Sequence, residues 1–245
     1  MLLMAIFALA IYAEEQDTLD KAKFQAAVPY NQAVEIHFGE KTKMPTEYTQ
    51  DKGDVSVAQN GKIHAYAADD GKYYIAHEED GTIYFPEDSE YLFSNLDPEE
   101  RYTELTIVQF DSIDTSKVTN MSAMFYNCSG LTKLDLSKFD TSNVTNMDAM
   151  FVDCHALTKL NVSSFDTSNV TNMNSMFWEC EVLEELNISS FDTGNVTNMH
   201  GMFHACSGLK ELNLSSFDTS KVTDMSWMFW ECEVLEELNI SSFDT

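Results

Sequence analysis

Residues 139–164 read FDTSNVTNMDAMFVDCHALTKLNVSS, and the phrase returns three times with few changes: FDTSNVTNMNSMFWECEVLEELNISS at 165–190, FDTGNVTNMHGMFHACSGLKELNLSS at 191–216 and FDTSKVTDMSWMFWECEVLEELNISS at 217–242. An earlier copy begins at Ile113, and a further copy stops after three residues at Thr245. Self-similarity at a fixed period is the signature of a tandem repeat architecture. The sequence therefore predicts a repeat array of 26-residue copies over residues 113–245, truncated in its last copy.

Each copy combines a helical pattern with an extended one. Met147, Met150, Phe151 and Cys154 stand at i, i+3, i+4 and i+7, which is one face of a short helix. The residues around Leu160 alternate between apolar and polar, as in a short strand. A unit of this size cannot bury its apolar stripe alone, so neighbouring units must stack. The predicted fold is an α/β solenoid of leucine-rich-repeat type, in which each repeat supplies a strand and a short helix.

The phrase F-D-T-S-N-V-T-N-M-x-x-M-F-x-x-C-x-x-L-x-x-L-N-x-S resembles the repeat of the BspA-like leucine-rich-repeat surface proteins. These are also described as DUF285 or as the lactobacillus and mycoplasma lipoprotein-type repeat family. The resemblance covers residues 113–245, and the lead-in at 54–96 is similar to the segment that precedes the array in such proteins. It implies an exported or wall-associated bacterial protein whose better-known relatives are adhesins. It brings no catalytic motif and transfers no binding residue.

The N-terminus predicts export. Residues 1–13 (MLLMAIFALAIYA) are apolar throughout and are followed at once by acidic residues. This run is too short to span a bilayer comfortably and fits the apolar region of a signal peptide. We expect residues 1–13 to be a signal peptide, residues 14–32 to be a linker, and the protein to be secreted or placed at the bacterial cell surface.

Two further segments precede the array. Residues 33–86 contain four short runs of strand character, and the last three are separated by Asp70-Gly71 and Asp80-Gly81, which are typical of hairpin turns. They predict a small antiparallel β-meander domain. Residues 87–112 mimic the repeat with an insertion, and we interpret them as a degenerate N-terminal capping repeat.

The charge of the chain excludes some partners. The sequence has 41 Asp and Glu against 14 Lys and Arg, a formal net charge of -27. No basic surface is available to neutralise nucleic-acid phosphates or anionic lipid. We therefore expect no nucleic-acid partner, and no membrane span is evident in the sequence.

No catalytic site, metal site or cofactor is predicted. Ser, His and Asp residues are present, but no nucleophile elbow or oxyanion motif frames them. His200 and His204 have a spacing that can place two imidazoles on one metal ion, but no third ligand is evident, and other copies hold unrelated residues there. The recurring aspartates are expected to bind their own backbone in turns instead of collecting calcium; they are Asp114, Asp140, Asp166, Asp192, Asp218 and Asp244.

The cysteines recur at one position of the repeat and look like core residues. A disulfide needs Cα atoms within about 6.8 Å, whereas packed helices lie about 8–10 Å apart. We therefore expect the thiols to stay reduced. They are Cys128, Cys154, Cys180, Cys206 and Cys232.

Two surfaces are candidates for binding. On the strand side, polar residues recur in every copy, and the residues predicted to contact a partner are Asn161, Asn187, Asn213, Asn239, Glu185 and Glu211. The alternative for the asparagines is an amide ladder that only supports the sheet. On the helix side, exposed aromatic residues can anchor an interface, or alternatively pack between neighbouring copies; they are Tyr126, Trp178, Trp227 and Trp230.

The function that these observations favour is a non-enzymatic scaffold for adhesion or protein–protein binding. Its expected partner is an extracellular protein, either host matrix or the surface of a neighbouring cell. One alternative is a carbohydrate-binding or accessory module of a surface hydrolase, which requires an aromatic pocket with paired carboxylates. The other is a purely structural spacer, which binds nothing.

Overall fold

The computed structural model describes residues 17–94 and 102–244, so the predicted signal peptide at 1–13 lies outside the described residues. The described chain consists mostly of strands and turns. It contains one α-helix, α1 (Lys21–Ala27), and one 3₁₀ helix, Lys41–Lys43. The strands are β1 (Glu35–Glu40), β2 (Gln50–Asp54), β3 (Ile63–Ala67), β4 (Lys72–His77), β5 (Ile83–Tyr84), β6 (Ile107–Phe110), β7 (Ile113–Asp114), β8 (Lys133–Leu134), β9 (Lys159–Asn161), β10 (Glu185–Asn187), β11 (Glu211–Asn213) and β12 (Glu237–Asn239).

Helix α1 lies inside the segment 14–32 that the sequence predicts to be a linker. Its N-cap is Asp20, whose side chain accepts a hydrogen bond from the backbone N–H of Lys23 (3.1 Å). Phe24 is fully buried, with ring centroids 5.8 Å from Phe38 and 5.6 Å from Phe93. The described part of this segment is therefore packed into the core. In this part of the chain, no helix has the length and apolar character needed to cross a membrane.

The predicted small antiparallel domain is corrected in two respects. Its strands belong to a six-stranded sheet in the order β2-β3-β4-β1-β6-β8, which continues into the first repeat. Strands β2, β3 and β4 pair antiparallel, but β1 pairs parallel with both β4 and β6. The Asp70-Gly71 turn joins β3 to β4 as predicted, with Gly71 at φ +81°. The turn at Gly81 makes no hairpin, because β5 pairs with the distant β7 instead of β4.

The predicted short helix in each copy is wrong, because residues 147–154 form a run of tight turns. Val152 donates its N–H to the carbonyl of Ala149 (3.2 Å), and Cys154 donates to Phe151 (3.3 Å), so the bonds span three residues instead of the four of an α-helix. Two positions in each copy have positive φ, which no α-helix contains. They are Ala123, Asn127, Ala149, Asp153, Ser175, Glu179, Gly201, Ala205, Trp227 and Glu231.

The turns bond from one copy to the next, and we call each copy a rung. The N–H of Ala149 donates to the carbonyl of Asn174 (2.8 Å), and that of Phe151 donates to Met176 (3.0 Å). Strands in a sheet lie about 4.8 Å apart, whereas packed helices lie about 8–10 Å apart. A run of turns therefore keeps both sides of every rung at strand spacing, which a helix cannot do. Both conformations place the same apolar residues on one face, so the sequence pattern does not distinguish them.

The interior of the array is built from columns of identical residues. The buried rings of Phe125, Phe151, Phe177 and Phe203 stack nearly parallel, with successive centroids 5.7 Å apart. The same core is continuous with the N-terminal sheet, since one cluster of buried residues runs from Leu19 to Met228.

All five cysteines are free. The reason expected from the sequence, the wide spacing of packed helices, does not apply, because the copies form turns and not helices. Each thiol donates to the carbonyl oxygen of the phenylalanine one rung back, as Cys180 does to Phe151 (3.2 Å). This bond points the sulfur at backbone instead of at the next thiol. Burial raises the pKa of the Cys180 thiol to about 12, so the thiol stays protonated and unreactive at neutral pH.

Buried threonines link the rungs through the backbone of the recurring aspartates. The hydroxyl of Thr167 donates to the carbonyl of Asp192 (2.8 Å) and accepts from its N–H (2.8 Å). The aspartate side chains close turns, as predicted: Asp166 accepts from the N–H of Ser168 (3.0 Å). The hydrogen bonds from Ser168 lower the pKa of Asp166.

Residues 89–93 bond to the first full rung as each rung bonds to the next. Ser89 donates to the carbonyl of Asn120 (3.0 Å), and Phe93 donates to Met124 (3.0 Å). On the outer side, the amide of Gln25 in α1 donates to the carbonyls of Tyr91 (2.8 Å) and Ser94 (3.0 Å). Helix α1 therefore satisfies backbone groups at the start of the array, where the sequence predicts a capping repeat.

Candidate functional site

The predicted partner-binding residues lie on one exposed surface formed by β9, β10, β11 and β12. In β9 and β11 the central leucines point inward, with Leu160 and Leu212 each 3% exposed, while the flanking residues are exposed. Successive side chains of a strand alternate between its two faces, which explains this arrangement. We call the surface the acidic strand face; its exposed residues are Lys159, Asn161, Glu185, Asn187, Glu211, Asn213, Glu237 and Asn239.

The register of the strands brings equivalent positions side by side. Glu185 lies opposite Lys159, and their side chains form an ion pair (2.7 Å). Glu211 lies opposite Glu237, where the pairing places two carboxylates on neighbouring rungs. The strands pair as β9 with β10 and as β11 with β12.

The asparagines do not form the amide ladder that was the alternative to binding. Asn161 Oδ1 accepts from the N–H (3.1 Å) and the hydroxyl (2.7 Å) of Ser163, and Asn187 makes the same bonds to Ser189. Asn213 Oδ1 likewise accepts from the backbone N–H of Ser215 (3.0 Å), two residues on in the same rung. Each side-chain oxygen therefore closes the turn after its strand. Within the described residues, no protein group accepts a hydrogen bond from the exposed Nδ2 atoms of these asparagines.

Two grooves cross the acidic strand face. The first, of about 460 Å³, lies between β10 and β11 and is lined by residues 184–187, Lys210 and Glu211. The second, of about 540 Å³, lies between β11 and β12 and is lined by residues 211–213 and 236–239. Glu211 borders both grooves. The sequence prediction missed Glu184, Lys210 and Glu236. For the two glutamates, the available signal was the Glu-Glu pair that precedes Leu-Asn in their copies.

The charge of the grooves is mainly negative. The first groove is lined by the acidic residues Glu184, Glu185 and Glu211, and the one cationic residue among the described residues that line it is Lys210. In the part of the chain that the structure describes, neither Glu211 nor Glu237 forms an ion pair. Like charges directly opposite one another on paired strands are destabilising. The face therefore attracts cationic groups, which can neutralise the opposed carboxylates.

The aromatic residues on the turn side of the array are only partly available to a partner. Trp178 stacks on His204, with ring centroids 3.7 Å apart and planes 5° apart, so for this pair the packing alternative is correct. Trp227 and Trp230 are 57% and 58% exposed. His200 contacts the Ser226 hydroxyl (2.8 Å).

Comparison with known proteins identifies one family. The family model described as "Mycoplasma protein of unknown function, DUF285" matches residues 90–186 and residues 158–245. The two matches overlap and together cover more than half of the chain. No curated protein and no solved structure matches the chain.

Proposed function

The chain belongs to the DUF285 family, and from this premise we propose that it is a non-enzymatic scaffold that binds an extracellular protein through the acidic strand face. Its place is outside the cell, secreted or held at the bacterial surface. The apolar run at residues 1–13 supports export.

The repeats form a solenoid in this proposal, with each rung adding one strand to the binding face. The support is that successive rungs make the same bonds at the same register, such as Thr171 to Thr145 (3.2 Å) and Thr197 to Thr171 (3.2 Å). A face built this way is ordered before it meets a partner, so little conformational entropy is lost on binding. Repeated amide and carboxylate groups suit an extended partner.

The observation that carries the proposal is the pair of opposed carboxylates, Glu211 and Glu237, on exposed paired strands. A basic protein segment placed across the grooves neutralises both groups. Each hydrogen bond to a charged group contributes about 1.5–3 kcal/mol at a well-fitted contact. The long-range field of a chain with net charge -27 also speeds the encounter with a basic partner at low salt.

Binding of the full chain to purified extracellular matrix proteins and to whole cells tests the proposal. The double variant Glu211→Gln and Glu237→Gln removes the opposed charges while keeping the shapes of the side chains. The matched control, Glu231→Gln and Glu233→Gln, removes two exposed charges from the turn side. We expect at least tenfold weaker binding for the first variant and little change for the control.

If the control variant at Glu231 and Glu233 loses binding and the variant at Glu211 and Glu237 keeps it, the binding site lies on the turn side. Full binding by both variants contradicts a role for the opposed carboxylates. If the unmodified chain binds no extracellular protein in the panel, the spacer alternative is favoured.

A further inference from the structure

Three metal-ligating side chains from two neighbouring rungs meet on the turn side of the array. Asp153 and His155 belong to one rung and Glu179 belongs to the next. One ligand atom from each lies within 4.8 Å of the other two, and all three residues are partly buried. The sequence does not reveal this cluster, because only stacking at the 26-residue period makes Asp153 and Glu179 neighbours.

Each of the three side chains has contacts that orient it. The Nδ1 atom of His155 lies 3.5 Å from the carboxylate of Glu181, and its Nε2 atom lies 3.7 Å from Oδ1 of Asp153. The indole N–H of Trp178 donates to Oε1 of Glu179 (2.9 Å). A carboxylate on one imidazole nitrogen and a ligand position at the other is the arrangement that proteins use to hold histidine on a metal ion.

The cluster also concentrates negative charge. It places carboxylate oxygens of Asp153 and Glu179, from neighbouring rungs, within 4.8 Å of each other. Two carboxylates at this distance repel each other. A divalent metal ion between them relieves the repulsion, in a chain whose net charge is already -27.

The spacing of the ligand atoms fits a metal ion after small side-chain movements. For three atoms that are at most 4.8 Å apart, there is always a point within about 2.8 Å of all three. Zinc–nitrogen and zinc–carboxylate bonds measure about 2.0–2.2 Å, so each ligand atom moves inward by less than about 1 Å. Rotation of the partly buried side chains supplies such a shift without moving the backbone.

We propose that Asp153, His155 and Glu179 bind a divalent transition-metal ion, which clamps two adjacent rungs. The imidazole favours zinc over calcium and magnesium, which prefer oxygen ligands alone. The site is separate from the acidic strand face, and neither depends on the other. Bound metal stabilises the folded array, because the unfolded chain does not hold the two rungs together.

Calorimetric titration of the untagged full chain with ZnCl₂ at pH 7 tests the site. We expect one ion per chain and a rise in melting temperature. The variants His155→Ala and Glu179→Gln should bind at least tenfold more weakly. The matched control is His200→Ala, two rungs beyond His155. It removes a partly buried histidine whose Nδ1 atom lies 3.7 Å from Oδ2 of Asp224. It should bind zinc as the unmodified chain does.

Tryptophan fluorescence gives a second measurement that does not depend on stability. Trp178 bonds directly to Glu179, so Co²⁺ at the site should quench its emission, and Trp178→Phe should lose most of this quenching. Absence of zinc binding at millimolar concentration overturns the proposal. So does binding that survives in both site variants, or binding that is lost instead in Cys232→Ser, which places the metal on a thiol.

Discussion

Gly201 is the position at which a run of turns and a helix predict opposite effects of one substitution. The residue has φ +56°, and a Cβ added to it would lie 2.5 Å from two ring atoms of Trp178. An L-residue in this conformation costs about 1–2 kcal/mol, and a forced overlap in a packed region costs about 1–3 kcal/mol. The lower entropy of the unfolded alanine chain offsets about 0.4–1 kcal/mol. We expect Gly201→Ala to destabilise the chain by about 2–3 kcal/mol.

Urea unfolding followed by circular dichroism measures this change, with thermal melting as a second measurement. In a helix, the same substitution stabilises by about 1 kcal/mol. The matched control is Ala149→Gly, at the equivalent position of an earlier rung with φ 54°. In a turn it should stabilise the chain by up to about 1 kcal/mol, because glycine relieves the strain of positive φ, whereas in a helix it costs about 1 kcal/mol. In a Trp178→Ala background the overlap disappears, so Gly201→Ala should cost only about 1 kcal/mol. Stabilisation by Gly201→Ala in the unmodified background refutes the reasoning.

Three further predictions concern the columns of the array. Thr167→Val removes both bonds to the backbone of Asp192 and should cost about 2–3 kcal/mol in urea unfolding, whereas the exposed Thr171→Val should cost under 1 kcal/mol. Thiol titration of the native chain should find Cys232 reacting first, because the other four thiols are fully buried, and equal rates for all five would contradict that burial. The hydrogen bonds that lower the pKa of Asp166 stabilise the fold at pH values above the ordinary carboxyl pKa range, and this contribution is lost as the pH falls below about 4. Asp166→Asn should therefore make the melting temperature less dependent on pH between about 2 and 5.

The repeat period, the stacking and the buried columns were predictable from the sequence, because each depends only on which residues recur. Phe151 and Cys154 occupy the core as expected, and Asp166 closes its turn as expected. These predictions hold because apolar burial and local hydrogen bonds are encoded within a single copy.

The conformation of residues 147–154 was not predictable in this way. Their apolar spacing is shared by a helix and by a run of turns, and the choice between them is made by bonds to the next rung, such as Ala149 to Asn174. The parallel pairing of β1 with β6 has a similar origin, since it joins strands far apart in sequence. Local periodicity carries no information about either.

The two candidate sites differ in the same way, because one is visible in a single copy and the other needs two stacked copies. The exposed column of the acidic strand face was visible in one copy, because Asn161 and its equivalents alternate with buried leucines. The metal-ligating cluster was not visible, because Asp153 and Glu179 meet only across two rungs. Sites that need the register between copies require the structure.

The register between rungs is the central claim, since both the acidic strand face and the metal-ligating cluster depend on it. It is tested most directly by NMR scalar coupling across hydrogen bonds in the deuterated full chain. We predict a coupling between the amide nitrogen of Ala149 and the carbonyl carbon of Asn174, 25 residues away, which share a 2.8 Å bond. A coupling from Ala149 to the carbonyl carbon of Thr145, four residues back as in an α-helix, would contradict the account.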